Sequence, residues 1–175
     1  MRTMLDVFRD AAARAPGTEV FGRTLADLDA ASDAFAAALL DRGFLFGDKL
    51  AIAWPDGPDL VTAVVGAWKA GGSAVLVDPA VSPEALAGAT ALFCVGEHDA
   101  VVASTDVHIL ITGSGQLHDL LALHAGERPL ASAPDADALA IDEVTQGGMV
   151  ASRLDTRIGR LAAALTGPDH EREQR

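Results

Sequence analysis

Five short apolar runs alternate with helical patterns along this 175-residue chain, and that alternation constrains its fold more than any other feature. The runs occupy residues 49–54, 74–77, 91–95, 108–112 and 138–144. Most are apolar at successive positions rather than at every second one, as expected of strands buried on both faces. Such strands, separated by helices, favour an α/β fold: a mainly parallel sheet with helices on both of its faces.

Helical spacing of apolar residues predicts helices over 1–15, 25–39, 59–70, 117–124 and 151–165. Thr24 with Asp27 three residues later is close to a capping box, and Gly43 suits the position that follows a helix. A shorter helix is predicted to start near Ser82, residues 97–103 are predicted to form a short helix or a turn, and residues 113–115 are predicted to form a turn. No internal repeat or interdomain linker interrupts this order, so we expect one α/β domain over 1–166 and a charged, frayed tail over 167–175.

Charge and cysteine content exclude several classes of protein. The net charge of −12 repels nucleic-acid phosphate and anionic lipid, so we expect neither a nucleic acid nor a membrane as partner. The single cysteine, Cys94, excludes an intramolecular disulfide and any multi-cysteine metal site. No signal peptide or membrane-spanning pattern is visible, so we expect a cytoplasmic protein.

Individual polar residues are each better explained by structure than by chemistry. Four histidines, at 98, 108, 118 and 124, lack the spacing of a metal site, and no metal is predicted. Lys69 lies in the last turn of a predicted helix, where a cation favours the helix dipole. Cys94 falls inside a predicted buried strand, which favours an inert thiol. No serine lies in a nucleophile elbow, and no catalytic residue is predicted.

The order of motifs in the first half resembles a known family. Thr24-Leu25-Ala26-Asp27-Leu28 opens a helix, a Gly-x-x-x-Gly-Asp turn follows at 43–48, and one strand ends at Pro55. A helix then ends in Lys69-Ala70-Gly71, and the next strand ends at Pro79. These five pieces, in this order, are similar to the N-terminal subdomain of adenylate-forming enzymes: acyl-CoA synthetases, peptide-synthetase adenylation domains and luciferases. The resemblance implies the fold of that subdomain and a relation to AMP-forming ligases.

The resemblance weakens where the family carries its phosphate-binding loop, Thr-Ser-Gly-Thr-Thr-Gly-x-Pro-Lys-Gly. Thr145 matches the opening threonine, but the Ser-Gly-Thr-Thr-Gly-x-Pro stretch that should follow is missing. Gln146 stands where the lysine belongs, and Gly147-Gly148 resumes the pattern. Neutral glutamine cannot supply the positive charge that the family's lysine brings to the ATP phosphates. The family's adenine-binding, acyl-binding and catalytic-lysine segments also have no counterpart, so we expect a truncated protein without adenylation activity of its own.

Three functional hypotheses remain. The first is a degenerate relative of acyl-CoA ligases that acts as a binding or assembly protein, as a homo-oligomer such as a homodimer, and without a cofactor. The second is one half of a split ligase, in which a complementary chain completes an ATP and Mg²⁺ site. The third is a small-molecule site or minor enzyme at the carboxyl ends of the strands, where ligands bind in open α/β sheets. Candidate ligand-binding residues there are Thr112, Ser114, Thr145, Gln146, Gly147 and Gly148.

Overall fold

The structure is a computed structural model that describes residues 4–129 and 141–143. Five parallel strands form its central sheet, and two very short strands form a separate hairpin. In chain order, the elements are α1 (Met4–Arg14), β1 (Glu19–Val20), β2 (Arg23–Thr24), α2 (Leu25–Asp41), β3 (Lys49–Ala53), α3 (Pro58–Lys69), β4 (Ser73–Leu76), a 3-10 turn (Glu84–Leu86), β5 (Ala91–Cys94), α4 (Asp99–Val102), β6 (Ile109–Thr112), α5 (Gly113–Leu123) and β7 (Ile141–Glu143).

The strand order across the sheet is β6-β5-β3-β4-β7, and every neighbouring pair is parallel. The chain first moves from β3 to β4 on one side and then crosses back over β3 to build β5 and β6 on the other. Parallel neighbours need such crossovers, which the helices supply. The predicted fold class, an α/β protein with a mainly parallel sheet, is confirmed.

Alternate side chains of the strands enter two different cores. Leu50, Ile52, Leu76 and Phe93 pack with the buried faces of α1, α2, α3 and α5. Their neighbours along the strands, including Ala51 and Leu92, pack on the opposite face. There the covering residues come from the 3-10 turn and its flanking loop, with Val101 and Val102 of α4 packed alongside. Both faces are therefore buried, which explains why the strands are apolar at successive positions.

The predicted ends of α2 are confirmed in detail. The Thr24 hydroxyl accepts the Asp27 backbone N–H at 3.1 Å and donates to the Asp27 carboxylate at 2.8 Å. At the other end, the backbone N–H groups of Gly43 and Phe44 donate to the carbonyls of Leu40 and Leu39. This is a Schellman cap, and it requires the positive φ of +90° that Gly43 adopts.

Two local features differ from the sequence-based expectation. Glycines usually end helices, yet the predicted turn at residues 113–115 forms the first turn of α5, which begins at Gly113. The Gln116 side chain accepts the backbone N–H of Thr112 at 2.6 Å and so satisfies one donor at this helix start. The β1–β2 hairpin was not expected, because it turns through Phe21, which adopts a positive φ of 50° that large side chains rarely take.

Several expectations lie wholly or partly outside the described residues. The helix predicted over 151–165 and the tail over 167–175 belong to this group, so the division of the chain into domains stays a prediction. Within residues 4–129 and 141–143, no helix has both the length and the apolar character that crossing a membrane requires.

Candidate functional site at the carboxyl ends of the strands

The carboxyl ends of three strands form one edge of the sheet. Ala53, Cys94 and Thr112, the last residues of β3, β5 and β6, are register partners in a row. The connection after β3 leads to one side of the sheet, and the connection after β5 leads to the other. This reversal of direction is a topological switch point, the place where open α/β sheets bind ligands. The third hypothesis, a site at the carboxyl ends of the strands, therefore includes the region between β3 and β5 as well as the candidate residues that follow β6 and β7.

An aromatic pair occupies one face of the sheet at this switch point. The rings of Trp54 and Phe93 are stacked with centroids 4.1 Å apart and an interplanar angle of 12°. Both side chains are buried and belong to the core beneath α2, α3 and α5. Trp54 thus fills space at the carboxyl end of β3, on the face covered by the long helices.

Thr112 and Ser114, two of the predicted ligand-binding residues, lie where β6 passes into α5. Ser114 is exposed in the first turn of α5, whereas Thr112 is half-buried at the end of the strand. The backbone N–H of Thr112 is occupied by the Gln116 side chain. The Ser114 hydroxyl is therefore the more accessible group of the two, and a ligand role for either residue stays a prediction.

The other four predicted ligand-binding residues, Thr145, Gln146, Gly147 and Gly148, lie outside the described residues. The strand that precedes them, β7, is at the opposite flank of the sheet from β6, with β5, β3 and β4 between. Four strand spacings of about 4.8 Å separate the axes of β6 and β7 by about 19 Å. A single ligand held by Thr112 and by residues near the end of β7 would have to span most of the sheet.

The position of the two lysines limits what the protein can do with phosphate. Lys49 and Lys69 are the only lysines in the sequence. Lys49 is the first residue of β3, at the amino end of the sheet rather than the carboxyl end. The Lys69 side chain is 2% exposed and is engaged with two carboxylates. Neither lysine is placed to meet a nucleotide phosphate at the carboxyl ends of the strands.

The partners of Lys69 are Asp29 and Asp33 of α2. Its Nζ contacts the Asp29 carboxylate at 2.6 Å, the Asp29 carbonyl at 2.9 Å and the Asp33 carboxylate at 2.7 Å. All three ammonium protons are therefore used, and the prediction that Lys69 is structural agrees with this arrangement. The sequence analysis did not identify Asp29 and Asp33 as the partners of Lys69. Their i,i+4 spacing on one face of a predicted helix was the available signal.

Cys94 is buried at the end of β5, as its apolar surroundings predicted. Its thiol lies 3.3 Å from the carbonyl of Gly96, to which it donates. Burial raises the pKa of the Cys94 thiol above its ordinary value; a hydrogen bond with Thr112 opposes this, and the charge of Asp99 adds to it. A raised pKa keeps the sulfur protonated at neutral pH, so Cys94 is a poor nucleophile.

Iodoacetamide is therefore expected to alkylate Cys94 at least about tenfold more slowly in the native protein than in the urea-unfolded chain at pH 8. The reason is twofold: the thiol is inaccessible, and its raised pKa leaves less thiolate in the folded state. Mass spectrometry of the alkylated chain over time provides the measurement. Equal rates in the two states would show that this strand end is open to solvent.

The four histidines among the described residues lie in different surroundings. His98 is half-buried and His108 and His118 are exposed, whereas His124 is buried at the end of α5 with its Nδ1 3.3 Å from Glu127. In the part of the chain that the structure describes, no three His, Cys, Asp or Glu side chains are grouped so that they could hold a metal ion.

Comparison with known proteins finds a matching family and one partly matching curated relative. The family described as AMP-binding enzyme matches residues 8–141. Syringomycin synthase SyrB1 of Pseudomonas syringae pv. syringae is 40% identical over 79 residues, which are 42% of this chain and 13% of that protein. This chain thus corresponds to a small part of SyrB1, so the activity of SyrB1 does not transfer to it directly.

Solved structures show the same fold. The N-terminal domain of FACL13 from Mycobacterium tuberculosis matches 78% of this chain and 40% of that chain, with a TM-score of 0.65 and 19% identity. The long-chain-fatty-acid-CoA ligase FadD1 from Archaeoglobus fulgidus matches 84% of this chain and 35% of that chain, with a TM-score of 0.67 and 14% identity.

The expected resemblance to the N-terminal subdomain of adenylate-forming enzymes is thereby confirmed. The family match ends at residue 141, four residues before Thr145, where the family's phosphate-binding loop would begin. The family match nevertheless covers more than half of the sequence. The solved structures share the fold that is described above. This chain belongs to the AMP-binding enzyme family.

Proposed function

We propose that this protein is a non-catalytic, acyl-CoA-ligase-like member of its family that acts as a binding or assembly protein. The observation that carries the proposal is the position of the two lysines. One is at the amino end of the sheet and the other is locked between Asp29 and Asp33, so neither is free for ATP phosphates. Gln146, at the place of the phosphate-loop lysine, supports the same conclusion from the sequence.

The packing of the described part of the chain also supports the proposal, because it is that of a stable fold. Its sheet is buried on both faces, and its largest core side chains, such as Trp68 and Phe35, are fully buried. A well-packed fold that has no lysine placed for phosphate is what we expect of a binding or assembly protein. We expect such a protein to act in the cytoplasm as a homodimer.

ATP–pyrophosphate exchange tests the absence of catalysis. The purified chain is expected to show no exchange above background with a panel of fatty, aromatic and amino acids, because the phosphate-loop lysine is replaced by Gln146 and neither Lys49 nor Lys69 is placed to act in its stead. The Gln146→Lys variant is expected to remain inactive, since the missing loop residues are not restored by one lysine. A full-length acyl-CoA ligase provides the positive control. Exchange by the purified chain alone would overturn the proposal.

A split ligase is the second candidate. It takes account of the matched lengths, since the region shared with this chain is 13% of SyrB1, 40% of the FACL13 chain and 35% of FadD1. In that case a separate chain would supply the ATP and Mg²⁺ site. Native mass spectrometry of the protein purified from its own host separates the two candidates. A homodimer without added mass supports the assembly role, whereas a complex with a second chain supports the split ligase.

A further inference from the structure

A groove lies between α1 and α2 and is closed at one end by residues 126–128. Its volume is about 430 Å³, which falls within the range of small-molecule pockets. The side chains that line the α1 and α2 walls are mostly alanines, including Ala13 and Ala30. Methyl groups in place of long side chains leave this volume open. None of the carboxyl-edge residues described above contributes to it.

The groove contains an excess of negative charge on the α2 side. Asp29 and Asp33 line it, and behind them the single positive charge of Lys69 is shared between the two carboxylates. Lys69 contacts only one oxygen of each carboxylate. Within the described residues, the second oxygen of Asp29 has no hydrogen bond or ion pair. One cation against two anions leaves about one negative charge uncompensated, and a ligand ammonium group would be attracted to it.

The same groove carries positive charge from other elements. Arg9 of α1 and Arg128 beyond α5 both line it. Arg128 is 85% exposed, and its Nε lies 3.8 Å from the second oxygen of Asp33, a distance at which an exposed pair contributes little. Its guanidinium is therefore available to a carboxylate, for which its planar donors are suited. Glu127, the remaining charged lining residue, is beside His124.

We propose that this groove binds a small zwitterion that carries an ammonium group and a carboxylate on a short carbon chain. The ammonium group binds at Asp29 and Asp33, the carboxylate binds Arg9 or Arg128, and the carbon chain packs against the alanine walls. A ligand with only one of the two charges would satisfy one set of groups and leave the other without a counter-charge. The site and its ligand are independent of whether the protein adenylates anything.

Isothermal titration calorimetry with three matched probes tests the proposal. The probes are 5-aminopentanoate, which has both charges, pentylamine, which has only the ammonium group, and pentanoate, which has only the carboxylate. We expect 5-aminopentanoate to bind at least about tenfold more tightly than either of the others, a difference of about 1.4 kcal/mol. Equal affinities for 5-aminopentanoate and pentylamine, or no heat from any probe at millimolar concentration, would overturn it.

Two variants and one control substitution locate the binding in the groove. Ala30→Phe fills it and is expected to abolish binding of 5-aminopentanoate, whereas Ala122→Phe, at an exposed position of α5 outside the groove, is expected to leave it unchanged. Arg128→Ala is expected to weaken 5-aminopentanoate binding at least about threefold and to leave pentylamine binding unchanged. Unaltered binding of 5-aminopentanoate in both Ala30→Phe and Arg128→Ala would place the ligand elsewhere and refute the assignment.

Discussion

Replacing Gly72 with alanine is expected to lower the free energy of unfolding by about 3 kcal/mol, at the upper end of overpacking effects. A Cβ atom at this position would lie 2.5 Å from the backbone oxygen of Asp48 and would overlap the ring of Phe44. The same Asp48 oxygen accepts the N–H of Ser73 at the start of β4. The backbone therefore cannot move away without disturbing the pairing of β3 and β4 at the centre of the sheet.

Gly115→Ala provides the matched control for this prediction. Gly115 lies in α5, and a Cβ atom there would meet nothing within 4 Å. Because alanine is the better helix former, this variant is expected to raise the free energy of unfolding by about 0.5–1 kcal/mol. Urea unfolding followed by circular dichroism measures both values. A Gly72→Ala loss below about 1 kcal/mol would mean that the β3–β4 connection is looser than described.

Replacing Lys69 with methionine is expected to destabilise the protein by about 3 kcal/mol. Methionine preserves most of the volume of the side chain but leaves Asp29 and Asp33 without their shared cation. The Asp33 side chain is only 16% exposed, whereas that of Asp29 is 34% exposed and can be partly rehydrated. Because of this partial exposure, we expect a loss of stability at the lower end of the range that is typical for breaking a buried ion pair.

A triple variant separates lost charge compensation from lost packing. Lys69→Met combined with Asp29→Asn and Asp33→Asn removes the unpaired carboxylates and is expected to recover all but about 1 kcal/mol. Arg14→Met, at an exposed cation of α1, serves as the single-charge control and is expected to change stability by less than about 0.5 kcal/mol. If the triple variant were as unstable as Lys69→Met, packing of the lysine stem rather than charge would explain the loss.

The expected loss of stability in Lys69→Met bears directly on function. In the sequence, Lys69 is one of two lysines that could meet a phosphate. A strong loss of stability on its replacement would show that it is committed to holding α3 against α2, since its partners are both on α2. The chain would then have no lysine left for phosphate chemistry except Lys49, at the far end of β3. The expected lack of exchange activity and the stability of the fold would then be linked through one side chain.

Much of the candidate site was beyond what local patterns can show. Thr112 ends a predicted strand and Ser114 lies in the predicted turn after it, and the structure places both at the carboxyl end of β6. The pattern could not reveal that β6 and β7 lie on opposite flanks of the sheet. Strand order follows from the direction of each crossover, and nothing in the composition of a strand encodes its neighbour. The α1–α2 groove could not be predicted from local patterns either, because it depends on how the two helices pack.

The amino-acid sequence by itself determined the α/β class, the family and the strands and long helices of the described part, but not the β1–β2 hairpin or the start of α5. Continuous apolar runs, helical stripes, the Thr24–Asp27 cap and Gly43 are local signals, because each acts through neighbours within a few residues along the chain. Only the tertiary structure decided that Lys69 meets Asp29 and Asp33, 40 and 36 residues away, and that Trp54 stacks on Phe93 at the switch point. Such contacts depend on helix packing and strand order, which bring together side chains distant in sequence.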